Sequence, residues 1–215
     1  MAKIVLFGAP GAGKGTLAGK ITKFSDIVHV STGDLFRANL KNKTPIGMKA
    51  KEYMDNGELV PDSVVIGMVK KRFKEDDVKE NGFLLDGFPR TVEQAKALDE
   101  VADLDAVAYI KIDKDVLEKR ITGRRSCTEC GAIYNIYNEE LTPEEEGKCD
   151  KCDGDLMQRD DDTKETFEKR YQTYVDQSEP VIEYYREKNP DLIVELDGSR
   201  TMAYTEEELK ELLPL

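Results

Sequence analysis

Short apolar runs alternate with longer amphipathic segments along most of this chain. Short runs rich in β-branched and aromatic side chains, bounded by turn residues, are typical of buried strands. The amphipathic segments between them predict helices, so we expect an α/β fold with a parallel sheet covered by helices on both faces. The five predicted strands are residues 4–7, 27–30, 83–86, 107–112 and 192–196.

The segment 31–60, after the second predicted strand, is polar and helix-prone, with breaks at Pro45 and Gly57. It predicts a small helical insertion instead of core. Ser31 or Thr32 is suited to cap its first helix. Arg37 then falls in the second turn of that helix.

Three helices are predicted in the second half of the chain. Residues 113–125 form a helix with Val116, Leu117 and Ile121 on its apolar side, and with Arg120 and Arg124 on one face. Residues 163–186 form a second helix, for which Asp162 and Glu165 are an expected cap. A closing helix is capped by Thr205 with Glu208. The tyrosines at 171, 174, 184 and 185 are expected to pack in the core.

Charge narrows the classes of function that the chain can have. Among 215 residues, 44 are acidic and 32 are basic, which gives a net charge of −12. This excess disfavours binding to nucleic acid or to anionic lipid. No run approaches the roughly 20 apolar residues of a membrane span, and the first residues lack the pattern of a secretory signal. We therefore expect a cytoplasmic protein without nucleic-acid or membrane partners.

The stretch KIVLFGAPGAGKGT at residues 3–16 predicts a phosphate-binding loop between a strand and a helix. Gly8, Gly13 and Lys14 have the spacing at which backbone N–H groups surround phosphate oxygens and the lysine reaches the terminal phosphates. Position 15 is Gly, where Ser or Thr normally supplies a hydroxyl to Mg²⁺. The first hydroxyl after the lysine belongs to Thr16.

A second stretch, GFLLDGFPR at residues 82–90, ends a predicted strand in a carboxylate. Asp86 is in the position that lies near Mg²⁺ on nucleotide phosphates. Gly87, Pro89 and Arg90 predict a turn that carries a guanidinium beyond the end of the strand, where ligands bind in such sheets. The Gln94 amide, one helical turn later, can pair with an adenine edge.

All four cysteines lie between residues 127 and 152, in two CxxC pairs. Two such pairs at this separation are typical of a structural zinc site that four thiolates close completely. A disulfide pair or a redox CxxC is the alternative, and iron or cobalt in the same sulfur cage stays open. The expected ligands are Cys127, Cys130, Cys149 and Cys152.

Three ordered motifs, GAPGAGKGT, STGDLFR and GFLLDGFPRT, resemble those of the adenylate kinase family in its long form with a large lid. The similarity continues through the GRR, QRDDD and LDG segments and so spans essentially the whole chain. It implies a P-loop NTPase-type core, a helical NMP-binding insertion and a zinc-stabilised lid. The implied parts are the core at 1–30, 61–123 and 163–215, the insertion at 31–60 and the lid at 124–162.

The resemblance also implies a set of site residues. Those for ATP are Gly11, Ala12, Gly13, Lys14, Gly15, Thr16, Arg120, Arg124, Ile133, Tyr134 and Arg200. Those for AMP are Thr32, Arg37, Glu58, Leu59, Val60, Gly87, Phe88, Pro89, Arg90, Gln94, Arg159 and Arg170. The expected catalytic residues are Lys14, Asp86, Arg90, Arg124, Arg159 and Arg170.

The expected reaction is reversible, Mg²⁺-dependent transfer from ATP to AMP, giving two ADP without a phosphoenzyme, in a monomer. Phosphates and water would hold Mg²⁺, with Asp86 and Asp34 in its outer shell. His29, the only histidine, has no catalytic role in this interpretation. One alternative is a kinase of UMP, CMP or GMP. Another is a non-catalytic nucleotide sensor with a zinc ribbon, which the acidic charge and the arginine set disfavour.

Overall fold

The computed structural model describes residues 1–215, and a five-stranded sheet forms its centre. Each neighbouring pair of strands is parallel. The strand order is β2–β3–β1–β4–β8. The strands are β1 (Lys3–Phe7), β2 (Val28–Ser31), β3 (Phe83–Asp86), β4 (Ala106–Lys111) and β8 (Ile193–Asp197).

The parallel sheet confirms the fold class predicted from the sequence. All five predicted strands are present, and each boundary agrees to within a residue. In β1, every residue after Lys3 is buried, as expected of a central strand with helices on both faces. Because the strands are parallel, their carboxyl ends share one edge of the sheet. The turns after β1, β2 and β3 therefore meet there.

Ten α-helices surround the sheet, and hydroxyl side chains cap five of them: Ser31, Thr44, Thr91, Thr163 and Thr205. The first five helices are α1 (Lys14–Ile21), α2 (Thr32–Lys41), α3 (Pro45–Asn56), α4 (Asp62–Arg72) and α5 (Asp76–Asn81). The others are α6 (Val92–Asp99), α7 (Lys114–Thr122), α8 (Lys164–Thr173), α9 (Glu179–Lys188) and α10 (Glu206–Leu212). A π-helical turn, Tyr174–Ser178, joins α8 to α9.

Three details of the helix predictions are wrong, and two of them concern α7. The helix α7 ends at Thr122, and Arg124 begins a strand because its backbone pairs with Asn135, so Arg120 and Arg124 do not share a helix face. Val116 is 42% exposed and lies outside the apolar side that Leu117 and Ile121 form.

The predicted cap of α8 is also wrong. Thr163 is the N-cap residue, and its Oγ1 accepts a hydrogen bond from the backbone N–H of Thr166 at 3.1 Å. The Asp162 carboxylate instead binds Arg124. The cap of α10 by Thr205 and Glu208 is confirmed as a reciprocal capping box.

A small antiparallel sheet lies between α7 and α8, in the order β6–β5–β7. Its strands are β5 (Arg124–Cys127), β6 (Ile133–Asn135) and β7 (Leu156–Met157). It has a separate buried cluster of Cys127, Tyr134 and Cys149, apart from the main core. None of the helices has the length and apolar character that crossing a bilayer requires.

The contact between α2 and α3 depends on Gly47. A Cβ atom at this position would lie 2.3 Å from the backbone C of Asn39 and 2.4 Å from the backbone N of Leu40. We expect Gly47→Ala to lower the free energy of unfolding by about 1–3 kcal/mol, because the two helices must separate to admit the methyl group. Urea unfolding measures this change as a lower midpoint concentration of urea, at an unchanged dependence of the unfolding free energy on urea.

Gly67 in α4 is the matched control, since a Cβ there has no heavy atom within 4 Å. Gly67→Ala is expected to stabilise the protein by up to about 1 kcal/mol through helix propensity. Equal effects of the two substitutions would contradict the packing argument for Gly47.

Candidate active site

The phosphate loop joins β1 to α1 and is closed by its own lysine. The Lys14 Nζ donates to the carbonyl oxygens of Gly8 at 2.7 Å and Ala9 at 3.0 Å. Gly13, at φ +95°, begins α1 without a side-chain cap. A Cβ atom on Gly13 would lie 2.8 Å from Thr201 Oγ1, so glycine is required both for the backbone conformation and for this close approach. The loop thus presents the N-terminus of α1 to the carboxyl edge of the sheet.

The Lys14 ammonium is unusually easy to deprotonate. Burial lowers its pKa to about 8, and the charges of Arg90, Arg170 and Arg124 add to this shift, while Asp86 opposes it. Lys14, Asp86 and the three arginines all line the same cleft. A concentration of cations in one place, without an equal number of anions, is suited to a polyanionic ligand.

The turn after β3 positions Asp86 and Arg90. The carbonyl oxygen of Gly87 accepts hydrogen bonds from Thr32 Oγ1 at 2.9 Å and from Arg90 Nε at 2.8 Å. The Ser178 hydroxyl donates to the carbonyl oxygen of Arg90 at 2.9 Å. Helices before and after the turn therefore hold it in place.

The Asp86 carboxylate lies near the ammonium group of Lys14. Its burial alone would raise its pKa, but the nearby imidazole of His29 and the ammonium of Lys14 hold the pKa below its usual value. His29 Nε2 lies 3.7 Å from Asp86 Oδ2, which is longer than a hydrogen bond. Asp86 is therefore an anion close to the phosphate loop.

Carboxylates hold three of the arginines. Arg124 binds both oxygens of Asp162, which is fully buried, and its Nε donates at 2.8 Å. Arg170 donates to Asp161 at 2.7 Å. On α2, Arg37 pairs with Asp34. The two-bond contact of Arg124 with Asp162 fixes its guanidinium plane in advance of a ligand, and the other two arginines are each anchored by one bond.

The pKa values of Arg90 and Arg159 are both lowered to about 10. Burial is the main cause in each case, followed by neighbouring guanidinium groups: Arg170 acts on Arg90, and Arg124 acts on Arg159. Arg159 has a neutral partner, since its Nε donates to Ser126 Oγ at 3.1 Å. Both side chains remain charged near neutral pH and have cationic neighbours.

Of the residues proposed from the sequence to bind nucleotide or to act in catalysis, all but two line one continuous cleft. Ala12 is fully buried beneath the loop. Arg200 lies outside the cleft, bonded to Glu208 at 2.6 Å and 4.8 Å above the ring of Tyr204. Those that line it are Gly11, Gly13, Lys14, Gly15, Thr16, Thr32, Arg37, Glu58, Leu59, Val60, Asp86, Gly87, Phe88, Pro89, Arg90, Gln94, Arg120, Arg124, Ile133, Tyr134, Arg159 and Arg170.

Arg120 and Tyr134, which were proposed for ATP, also have their side chains engaged with protein. Arg120 donates to the carbonyl oxygen of Gly198 at 2.9 Å. The Tyr134 ring is 6% exposed, and its hydroxyl accepts from the backbone N–H of Asp150 at 2.9 Å and lies 3.4 Å from Cys149 Sγ. The Tyr134 side chain therefore packs beside the cysteines, at the wall of the cleft.

The four cysteines fit a zinc ion. Their Sγ atoms all lie within 4.8 Å of one another. Cys127 and Cys152 Sγ are 3.4 Å apart, and Cys130 and Cys149 Sγ are 3.6 Å apart. A tetrahedral zinc with Zn–S bonds of about 2.3 Å holds its sulfurs roughly 3.8 Å apart. The cage needs little adjustment to enclose the ion.

The oxygen groups near the phosphate loop fit Mg²⁺, which prefers carboxylate, phosphate and water ligands. Asp86 supplies the carboxylate, and Thr16 supplies a hydroxyl that lines the cleft. A Cβ built on Gly15 would be 4.0 Å from Asp86 Oδ2, so the glycine leaves the space beside this carboxylate open.

A parallel sheet with order β2–β3–β1–β4–β8, a glycine loop before α1 and a lysine among converging arginines together define a P-loop nucleotide-binding protein. Comparison with known proteins gives the family within this class. The family model described as adenylate kinase matches residues 6–190, and the chain belongs to that family.

Curated relatives named adenylate kinase match nearly full length. The protein of Clostridium tetani is 53% identical over 202 residues, which cover 92% of this chain and 91% of the relative. That of Clostridium botulinum strain Loch Maree is 51% identical over 206 residues, 93% of each. That of Listeria monocytogenes is 55% identical over 192 residues, 86% of this chain and 87% of the relative.

Some residues of the site were not found by sequence reasoning. Asp161 was noted only as part of the QRDDD segment, and Asp162 was predicted to cap a helix, although each binds an arginine. Lys20 of α1 supports the site from outside. Its Nζ donates to the carbonyl oxygens of Met202 and Tyr204, so it connects the turn before α10 to the helix that follows the phosphate loop. The two aspartates directly after Arg159 were an available signal, whereas nothing near Lys20 in the sequence indicates its partners.

The lowered pKa of Lys14 predicts a gain in stability when its charge is removed. We expect Lys14→Met to raise the free energy of unfolding of the nucleotide-free protein by about 1–3 kcal/mol near pH 7, after allowing for its two lost hydrogen bonds. The lysine pKa is 10.5 in the unfolded chain and about 8 in the fold. The stability gained by Lys14→Met is therefore complete below pH 8, and it disappears as the pH rises from 8 through 10.5.

Urea unfolding near pH 7 and near pH 10 measures both parts of this prediction. Lys20→Met is the matched control, because Lys20 also donates to two carbonyl oxygens and lies outside the arginine cluster. That variant is expected to be less stable than the parent protein at both pH values. A Lys14→Met protein with the same behaviour would contradict the electrostatic argument.

Proposed function

We propose that this protein transfers the γ-phosphoryl group of ATP reversibly to AMP, giving two ADP. The bond from the γ-phosphorus to the β–γ bridging oxygen breaks, and a bond to an AMP phosphate oxygen forms in line. The observation that carries the proposal is the convergence of Lys14 with arginines from the turn after β3, from β5 and from α8. Phosphoryl transfer requires mainly alignment and positive charge, which this convergence supplies.

Each part of the cleft has a role in the proposal. Lys14 and the phosphate loop hold the ATP phosphates, and Arg124 and Arg159 stabilise the group in transfer. Arg37, Arg90 and Arg170 hold the acceptor phosphate, and Thr32, Val60 and Gln94 surround its base. Arg120, Ile133 and the backbone at Tyr134 bind the ATP adenosine. Arg200 also binds the ATP adenosine, once its guanidinium group has left Glu208.

Two parts of the chain are proposed to close over the substrates: residues 31–60 over AMP and residues 124–162 over ATP. The cleft lies between them and is open to solvent on the acceptor side, at Asp34 and Glu58. Closure would exclude the water that otherwise competes as phosphoryl acceptor. The remaining residues, 1–30, 61–123 and 163–215, form the core on which both parts move.

Mg²⁺, when bound with ATP, supplies positive charge at the phosphates. Asp86 is the residue placed to hold it through water, and the exposed Asp34 is engaged with Arg37. A structural Zn²⁺ in the four-cysteine cage is the second proposed ion. Four protein thiolates leave no position for a catalytic water, so this ion acts on stability. We also propose a cytoplasmic monomer, and cysteines that hold zinc as thiolates suit a reducing compartment.

The proposed reaction is tested by ADP formation from MgATP with AMP, UMP, CMP or GMP as the acceptor, beside an acceptor-free control. Activity with AMP, and much less with the other three, is the expected result. Arg90→Ala should lower turnover by about 10²–10³-fold, because one preorganised phosphate ligand is lost.

Arg72→Ala is the matched control for Arg90→Ala. Arg72 is an arginine bound by Glu75 and Asp77, and it lies outside the cleft. It should retain turnover. Nucleotide binding without transfer to any acceptor would overturn the proposal in favour of a sensor, and preference for another acceptor would change the assigned substrate.

Removal of zinc is expected to lower the midpoint of thermal unfolding by on the order of 10 °C, because metal binding contributes directly to the stability of the small sheet. A thiol reagent gives an independent readout. The thiols should react slowly in the protein as purified and rapidly after chelation. Unchanged melting together with rapid reaction before chelation would contradict a zinc site.

A further inference from the structure

Gln94 is held by two partners of opposite hydrogen-bonding type. Its Oε1 accepts from the backbone N–H of Arg90 at 2.8 Å, and its Nε2 donates to Asp62 Oδ1 at 2.7 Å. The residue is 1% exposed and forms part of the cleft wall. Asp62, at the start of α4, is 32 positions away in the sequence.

The two partners determine which way the amide faces. A backbone N–H can only donate, so the group facing Arg90 must be the oxygen. An ionised carboxylate can only accept, so the group facing Asp62 must be the nitrogen. Rotation of the amide by 180° would place donor against donor and acceptor against acceptor.

Asp62 is itself fixed. Its second oxygen, Oδ2, accepts a hydrogen bond from the Thr91 hydroxyl at 2.9 Å. Thr91 in turn caps α6, since its Oγ1 accepts from the backbone N–H of Gln94 at 3.1 Å. The carboxylate is therefore held from the same helix turn that carries the amide, and neither group can turn without breaking a bond of the other.

One N–H of the Gln94 amide and one lone pair of its oxygen remain free for a ligand. The free donor and acceptor lie at defined sides of the amide. Adenine offers an acceptor at N1 and a donor at its 6-amino group, whereas hypoxanthine and guanine offer a donor at N1–H and an acceptor at O6. An amide with a fixed orientation can match the first pattern and oppose the second.

We propose that Asp62 is a specificity-determining positioning residue, which holds the Gln94 amide in the orientation that accepts a 6-aminopurine monophosphate and rejects a 6-oxopurine one. This inference rests on the proposed function, in which Gln94 lies beside the acceptor base. Asp62 itself does not line the cleft and acts through Gln94.

The test compares AMP with IMP, because these acceptors differ only at the N1 and C6 edge of the base. In Asp62→Asn, the side-chain amide can present either a donor or an acceptor to Gln94, so one restraint on orientation is lost. The ratio of kcat/KM for AMP to that for IMP is expected to fall about tenfold. An equal loss with both acceptors, at an unchanged ratio, would show a merely structural role and overturn the proposal.

A double-mutant cycle with Gln94→Leu tests whether Asp62 acts through the amide. In the Gln94→Leu background, the Asp62→Asn substitution should leave the AMP to IMP ratio unchanged. A further tenfold change in that background would contradict the proposed route. Asp99→Asn is the control for loss of a largely buried carboxylate, since Asp99 binds Tyr184 and Lys188 outside the cleft. It should leave the ratio unaltered.

Binding measured by calorimetry separates this inference from the proposed reaction. Absence of ADP formation in the unaltered protein would overturn the reaction, whereas the AMP to IMP ratio of dissociation constants still tests Asp62. NMR of the unaltered protein gives a readout that does not depend on any variant folding. The Gln94 N–H that donates to Asp62 should have a chemical shift well away from that of a free glutamine amide, and the other N–H should shift when AMP binds. Both N–H groups at the chemical shifts of a free glutamine side chain would contradict a fixed amide.

Discussion

Repulsion among partly buried cations is the constraint on which this cleft depends. Lys14, Arg90 and Arg159 each have a lowered pKa, and burial and neighbouring guanidinium groups are the causes. A protein with a net charge of −12 nevertheless concentrates positive charge where its sheet ends. Such an arrangement is stable only because the surrounding fold supplies anions at chosen points and a rigid frame between them.

The anions are placed to orient the cations without neutralising all of them. Asp162 is buried and bidentate to Arg124, and Asp161 binds Arg170. Arg90 has only the carbonyl oxygen of Gly87, and Arg159 has only a hydroxyl. The cleft therefore retains uncompensated positive charge. Contacts within the protein fix the orientations of the guanidinium groups that carry it.

The sequence predicted those features that depend on local pattern. Continuous apolar runs identified all five strands of the large sheet, and the spacing of Gly8, Gly13 and Lys14 identified the loop. The end of α7 was missed because Arg124 pairs across a sheet with Asn135, a partner that helical periodicity does not reveal. The same reason applies to Asp162: locally it resembled a cap, whereas a tertiary ion pair with Arg124 determines its position. The contact from Asp62 to Gln94 depends on two helices meeting, which spacing alone cannot indicate.

The cations also couple ligand binding to stability. A ligand that brings negative charge relieves the repulsion that lowers the pKa of Lys14, so part of its binding free energy comes from removing an unfavourable feature of the free protein. The supporting contacts are made to backbone carbonyls and to Asp161 and Asp162, which belong to the protein itself. A fully compensated cleft would be more stable but would lose the charge that distinguishes a phosphate ligand from water. The residues that surround the cations thus determine how much stability the fold gives up for that distinction.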